Sequence, residues 1–288
     1  MRFIRVAVAA APLLVTTLLP AQESAIARGE YLINAGGCVD CHTDEGDEAS
    51  PLAGGRAIKS PFGTFYSPNI TPDADTGIGS WSDENFVDAF WEGVNPDGDH
   101  YYPAFPYTSY TGVSRGDLLA MKAYLFSLEP VKQDTPEHDL AWYISTRLAA
   151  GAWKLKNFDA RRFVPDPAQS DQWNRGAYLA RHLGHCGECH TPRSGLGALQ
   201  HDQELAGNAD GPDEEKIPNI TPDRNDGIGK WSKSDIEYFL EIGMLPDGDF
   251  VGSTMGAVID NNTGKLTKDD RVAIVTYLKS VPPLPSSH

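Results

Sequence analysis

The fold of this chain of 288 residues is indicated by two short segments with one pattern, Cys38-Val-Asp-Cys41-His42 and Cys186-Gly-Glu-Cys189-His190. They contain all four cysteines, and each ends in a histidine directly after its second cysteine. Four cysteines are too few for a disulfide scaffold in a chain of this length. The pattern therefore points to chemistry at each cysteine pair rather than to cross-linking of the fold.

The spacing C-x-x-C-H is typical of covalent haem attachment. Two thiols about one helical turn apart can add to the two vinyl groups of one haem, and the next histidine then lies under the iron. A redox disulfide or half of a zinc site would explain a cysteine pair alone, but neither explains a following histidine twice. The sequence predicts two covalently bound c-type haems. The residues that attach and ligate them are Cys38, Cys41, His42, Cys186, Cys189 and His190.

The chain also repeats itself around these motifs. Residues 69–99 and 219–249 share Asn-Ile-Thr-Pro-Asp, Gly-Ile-Gly, Trp-Ser and Pro-Asp-Gly-Asp at a constant offset of 150 residues. Before each motif, residues 28–32 match residues 175–179 in the pattern Arg-Gly-x-Tyr-Leu. Internal similarity predicts one architecture used twice. The expected units are a first domain at 22–129, a linker at 130–171 and a second domain at 172–288.

Each copy is expected to contain short helices joined by long loops. An opening helix carries a glycine that permits close backbone packing, and a middle helix begins at Ser82 and ends at Gly93. Closing helices are predicted at about 114–128 and 267–280, each stopped by proline. The strand signals are weak, apart from a short hairpin around 63–67.

The linker contains a further helical pattern. Residues 139–156 have apolar side chains at helical spacing, which predicts a helix that docks the two domains together. Trp142 and Trp153 lie on this segment, and we expect both to pack in the core rather than to line a partner surface.

The composition restricts the class of partner. The chain has 24 Lys and Arg against 40 Asp and Glu, a formal net charge of −16. Nucleic-acid binding needs basic surface, so this charge argues against a nucleic-acid partner. An acidic surface instead favours a partner with a basic docking patch.

The N-terminus predicts export. Arg2 and Arg5 precede an apolar stretch from Val6 to Leu19, and small residues follow at a candidate cleavage site. This layout is typical of a secretory signal peptide, which we assign to residues 1–21. The expected location is the bacterial periplasm, and no apolar run reaches the roughly 18 residues of a transmembrane span.

The order of opening helix, C-x-x-C-H, loop and closing helix resembles class I cytochrome c. The stretches 61–63, 69–73, 102–107 and 189–193 more closely resemble the cytochrome c subunits of membrane-associated alcohol and gluconate dehydrogenases. The resemblance implies a mainly α fold with two tandem class I cytochrome c domains, long loops and a helical linker. Those subunits have a three-haem design with a membrane-attaching tail, whereas this chain has two motifs and ends at His288. We therefore expect a soluble relative, whose dehydrogenase partner the resemblance does not assign.

The sixth iron ligands are predicted to differ between the copies. In this architecture a distal ligand follows the second histidine by about 60 to 70 residues, and Met255 is placed there. A thioether ligand raises the reduction potential. The offset of 150 places Phe105 at the same position of the first copy, and phenylalanine has no atom that binds iron.

Three alternatives therefore remain for the sixth ligand of the first iron. His100 supplies the sixth ligand and gives a low potential, one of Tyr101, Tyr102 and Tyr107 supplies it, or the position is open or holds water. The sequence favours His100 or an open position and does not separate these two.

The predicted function is electron transfer. A periplasmic dihaem cytochrome c would carry electrons from a donor dehydrogenase to an oxidase or cytochrome acceptor with a basic docking patch. The alternative is a haem enzyme of the peroxidase or thiosulfate-oxidising type that uses the first haem, which lacks the axial methionine. No cysteine remains for a thiolate ligand, which weakens the thiosulfate version. A carrier is favoured over an enzyme.

Overall fold

The computed structural model describes residues 19–46, 48–211 and 215–287. Most of the predicted signal peptide therefore lies outside the described residues, and only its last three positions belong to the first helix. Of the helices in the described ranges, none combines the length and the hydropathy needed to cross a bilayer.

The fold is mainly helical, and the helices follow the sequence repeat. In the described part of the first repeat the helices are α1 (Leu19–Ala35), α2 (Cys38–His42), α3 (Asp83–Glu92), α4 (Tyr107–Tyr110) and α5 (Arg115–Leu125). The connecting segment contains α6 (Arg147–Asn157). The second repeat contains α7 (Asp171–Tyr178), α8 (Gly187–His190), α9 (Lys233–Ile242), α10 (Ser253–Asn261) and α11 (Lys268–Leu278). A π-helical turn over Leu179–Leu183 extends α7.

The middle helix of the first repeat begins and ends as predicted. Ser82 caps α3 in a reciprocal capping box with Asn85, and Gly93 ends the helix at a φ of 60°. The counterpart α9 has the same arrangement, with Ser232 at its start and Gly243 at its end. The closing helices α5 and α11 are also present, but they end two or three residues earlier than predicted.

A small antiparallel sheet joins the first repeat to the linker. Strands β1 (Ala57–Ser60) and β2 (Gly63–Tyr66) confirm the predicted hairpin, and β3 (Asp139–Leu140) pairs with the start of β2. Gly63 allows this pairing, because a Cβ at that position would lie 2.2 Å from the carbonyl oxygen of Asp139. The linker helix predicted from residue 139 therefore begins only at Arg147.

Helix α6 docks the linker onto the first repeat. Tyr102 Oη donates to the carbonyl of Ile144 at 2.8 Å, and Lys154 Nζ donates to the carbonyl of Gly93 at 3.2 Å. Trp153 is half-buried and donates to the carbonyl of Leu196. Trp142 is 86% exposed, so its predicted core position is wrong. It lies in the turn between β3 and α6, where no helix face packs it inward.

The opening and closing helices of each repeat cross at a glycine. A Cβ on Gly29 of α1 would lie 2.0 Å from the carbonyl oxygen of Ala120 in α5. A Cβ on Gly176 of α7 would lie 1.9 Å from the carbonyl oxygen of Ala273 in α11. The predicted close approach of the backbones is therefore confirmed in both repeats.

Substituting Gly176 with alanine is expected to lower the free energy of unfolding by about 1–3 kcal/mol, because the added methyl group forces the helices apart. Gly116→Ala is the matched control, since its Cβ would meet only the Ser114 hydroxyl, at 4.0 Å. Alanine there is expected to stabilise the helix by up to about 1 kcal/mol. Urea unfolding of both variants measures the difference, and equal stabilisation by the two substitutions would contradict the close packing.

Candidate functional site

Each C-x-x-C-H motif forms a short helix entered through a left-handed residue. Gly37 precedes α2 with a φ of 62°, and His185 precedes Cys186 with a φ of 38°. No disulfide joins the four cysteines, all of which lie in the part of the chain that the structure describes. Burial raises the pKa of Cys38 to about 12 and that of Cys186 to about 11, so both thiols are neutral at physiological pH.

The two motif histidines are held in the same way. His42 Nδ1 lies 2.8 Å from the carbonyl oxygen of Pro68, and His190 Nδ1 lies 2.8 Å from that of Pro218. A carbonyl oxygen only accepts, so each Nδ1 carries the proton and each Nε2 keeps its lone pair. Burial lowers the pKa of both histidines, which favours this neutral form. A neutral imidazole with a fixed ring and a free Nε2 is the form that ligates a metal.

The repeated Asn-Ile-Thr segment holds these proline carbonyls in place. The buried Asn69 side chain accepts from the Thr71 backbone at 2.9 Å and donates to the Val131 carbonyl at 2.7 Å. In the second repeat Asn219 has the corresponding bonds, to Thr221 at 2.7 Å and Leu284 at 2.8 Å. The role of the prolines was not recognised from the sequence, although their repetition at the offset of 150 was a usable signal.

The segments of the two predicted sixth positions differ in backbone and in packing. Met255 is half-buried in the first turn of α10, two residues after Ser253, whose φ is 60°. Phe105 instead precedes α4 and packs among aromatic rings. The ring centroids lie 5.3 Å from Phe90, 5.6 Å from Tyr101 and 5.6 Å from Tyr110.

The contacts of His100 are with the linker helix. Its Nδ1 lies 3.3 Å from Lys154 Nζ, and because an ammonium group only donates, Nδ1 is the acceptor. A Cβ on Gly151 would lie 2.5 Å from the His100 ring, so ring and helix are in close contact. Of the three tyrosines considered as ligands, Tyr102 is bonded to Ile144, and burial raises the pKa of Tyr101 to about 12.

Two buried polar atoms mark the surroundings of the motifs. Tyr107 Oη and Thr263 Oγ1 are buried without a hydrogen-bond partner among the residues that the structure describes. Tyr107 opens α4, which contacts α8 through Glu188. Thr263 follows Asn262, whose side chain packs against Gly37. Two cysteines one helical turn apart, followed by a histidine whose Nε2 keeps its lone pair, are a set of groups that fits a c-type haem in each repeat.

Comparison with known proteins finds relatives over most of the chain. A protein named diheme cytochrome c-type from Cereibacter sphaeroides is 42% identical over 258 residues, covering 88% of this chain and 85% of that protein. The fructose dehydrogenase cytochrome subunit of Gluconobacter japonicus is 40% identical over 264 residues, covering 91% of this chain. The gluconate 2-dehydrogenase cytochrome c subunit of Pantoea cypripedii is 39% identical over 269 residues, also covering 91% of this chain.

The chain is shorter than the dehydrogenase subunits that it matches. It spans 54% of the fructose dehydrogenase subunit and 60% of the gluconate 2-dehydrogenase subunit. No family model matches the chain.

Proposed function

This chain belongs to the family of dihaem cytochromes c and dehydrogenase cytochrome c subunits, and on that premise we propose that it is a periplasmic dihaem electron carrier. When bound, c-type haem supplies one-electron redox chemistry. The observation that carries the proposal is the identical histidine arrangement in both repeats. Each C-x-x-C-H histidine has Nδ1 2.8 Å from a proline carbonyl and Nε2 free to ligate iron.

Each type of residue in a repeat has its own role in holding a haem. The two cysteine thiols would form the thioether links, the motif histidine would ligate the iron, and the proline carbonyl orients the ring of that histidine. Met255 would supply the sixth ligand of the second site. The proposed units remain a first domain at 22–129, a linker at 130–171 and a second domain at 172–288. The attaching and proximal residues are Cys38, Cys41, His42, Cys186, Cys189 and His190.

For the first site we propose an open sixth position. Phe105 takes the repeat position of Met255, and its aromatic neighbours supply no sulfur. His100 is the residue that the sequence favours as a ligand over the three tyrosines, but its Nδ1 pairs with Lys154 and its ring lies against α6. These contacts favour the open position over ligation by His100.

A dehydrogenase is the proposed donor, and an oxidase or another cytochrome is the proposed acceptor. Two relatives are named as cytochrome subunits of dehydrogenases, which supports the donor. The net charge of −16 supports docking to a basic patch, with an association rate that falls as salt rises. The signal-peptide pattern of residues 1–21 supports a periplasmic location.

Haem stoichiometry tests the proposal directly. The protein exported with its maturation machinery is expected to carry two haems, measured as the alkaline pyridine complex and by intact mass. Cys38→Ala/Cys41→Ala and Cys186→Ala/Cys189→Ala are matched variants, each expected to retain one covalent haem. A colourless wild-type protein, or a full complement of haem in either double variant, would refute the assignment.

A second candidate function, peroxidase-type catalysis, is favoured by one observation. Phe105 leaves the first site without the sulfur ligand that Met255 offers in the second. Carbon monoxide is expected to bind the reduced first site in the wild type and equally in His100→Ala. Turnover with peroxide would establish the enzyme, and carbon monoxide binding without turnover would leave the carrier function alone.

A further inference from the structure

The two repeats contact each other through the same pair of residue types used twice, a tyrosine of one repeat and an aspartate of the other. Tyr31 of α1 donates to Asp270 of α11 at 2.5 Å, and Tyr178 of α7 donates to Asp117 of α5 at 2.6 Å. The tyrosines hold the same place in the repeated Arg-Gly-x-Tyr-Leu segment, and the aspartates hold the same place in the closing helices. Each tyrosine therefore contacts the aspartate of the opposite repeat, and the same contact is formed in both directions. This is the pattern of an isologous interface, here between two repeats of one chain.

Each of these contacts is completed by a partner from the aspartate's own repeat. Arg175 forms a two-point ion pair with Asp270 at 2.8 and 2.7 Å, and Arg28 pairs with Asp117. Two-point pairs of arginine and carboxylate fix geometry as well as charge. The repeats are thus joined by two copies of one Arg–Asp–Tyr cluster.

The same exchange occurs at the C-x-x-C-H helices themselves. Asp40 of α2 accepts from Asn261 of α10 at 2.6 Å. Glu188 of α8 accepts from Thr108 at 2.8 Å and Ser109 at 2.6 Å, both in α4. Asp40 and Glu188 are the residues directly before the second cysteine of each motif. Each motif helix is therefore bonded to the repeat that does not contain it.

The turn before α2 is also held from the second repeat. His185 Nε2 lies 3.3 Å from the carbonyl oxygen of Gly36, which Tyr110 bonds from within the first repeat at 3.0 Å. The segments that directly precede the two motifs therefore contact each other across the interface.

We propose that Asp40 and Glu188 are positioning residues that hold each haem-attachment helix against the opposite repeat, so that electrons cross between the two haem sites through this interface. The inference rests on the proposed function, because it needs a haem at each motif. Hydrogen bonds to an ionised carboxylate are about twice as strong as neutral ones. Glu188 is also buried and paired with Arg193 at 2.6 Å, so its side chain is held from both repeats. Sites supported in this way keep their geometry more closely than sites on free loops.

Removing the cross-repeat donors tests the proposal without altering either motif. In the holoprotein, Thr108→Val/Ser109→Ala deletes the hydroxyls that bond Glu188, and Asn261→Leu independently deletes the donor to Asp40. Flash photoreduction followed by optical detection measures how fast an electron redistributes between the two unequal sites. Each variant is expected to slow this redistribution several-fold and to weaken the magnetic coupling between the oxidised sites in pulsed EPR. The haem content and the spectrum of each site stay as in the wild type.

Ser82→Ala is the matched control, since it removes a helix cap within one repeat and touches no contact across the interface. Its redistribution rate is expected to equal that of the wild type. Wild-type rate and coupling in both interface variants would overturn the positioning role. Failure of both to fold while Ser82→Ala folds would also overturn it, in favour of a purely structural role. A wild type without haem would instead refute the proposed function itself.

Discussion

Replacing Phe105 with methionine is expected to raise the reduction potential of the first haem site by on the order of 0.1 V, within the roughly 0.8 V that axial ligands span. Phe105 holds the repeat position of Met255, so the substitution gives both sites the same side chain there. A thioether ligand favours reduced iron, which is the physical cause of the rise. Carbon monoxide binding at the first site is expected to be lost as well, because the sulfur fills the sixth position.

Methionine is flexible and fills irregular apolar spaces, so the aromatic cluster around position 105 should accept it. Phe105→Leu is the control, because it removes the ring without adding sulfur and should leave both potential and carbon monoxide binding unchanged. The reverse variant, Met255→Phe, should lower the potential of the second site by a similar amount. Spectroelectrochemical titration measures all three variants, and a first site that keeps its potential and its carbon monoxide binding in Phe105→Met would contradict the argument.

Arg271→Leu is expected to lower the free energy of unfolding by about 3–5 kcal/mol, because it leaves a buried carboxylate without its counter-charge. Arg271 is buried in α11 and bonds Glu237 at 3.0 Å, Glu241 at 2.6 Å and the Leu266 carbonyl at 2.6 Å. Glu237 is itself buried, so the loss is not screened by water.

The first repeat provides the matched control for this ion pair. At the corresponding positions of α5 and α3 it has Leu118 and Val87, both buried and apolar. Arg271→Leu/Glu237→Val places the same two side chains in the second repeat. An apolar pair of suitable volume commonly replaces a buried ion pair without loss of stability. In urea unfolding followed by circular dichroism, the double variant should regain most of the free energy of unfolding that the single variant loses. A double variant as unstable as the single one would show that the cost arises from packing rather than from the unpaired charge.

Local chemistry explains which parts of the fold could be predicted. Ser82 and Gly93 bound α3 as expected, because a cap and a left-handed glycine act within one turn of the helix. The linker helix was predicted too long, since its apolar spacing continued through residues that the structure pairs with β2. The tertiary contact of Gly63 with Asp139 overrode the helical pattern there.

The proposed haem residues stay a prediction from the sequence. The pattern of cysteines and histidines is recognisable because covalent attachment and iron ligation would constrain residues only one to four positions apart. Pro68 and Pro218 were missed, because their carbonyls meet the histidines 26 and 28 residues away. His100 stays a candidate from the sequence, and the contact with α6 on which we base our preference for an open position spans 54 residues.

The amino-acid sequence by itself determined the two C-x-x-C-H motifs, the repeat, and the difference between Phe105 and Met255 at one repeat position. Each of these depends on residue identity at short or constant spacing. Only the tertiary structure decided that the repeats face each other, with Tyr31 bonded to Asp270 across 239 residues and Tyr178 bonded to Asp117. Such pairs form because folding brings together two surfaces that are distant along the chain, and no local pattern specifies which tyrosine meets which aspartate.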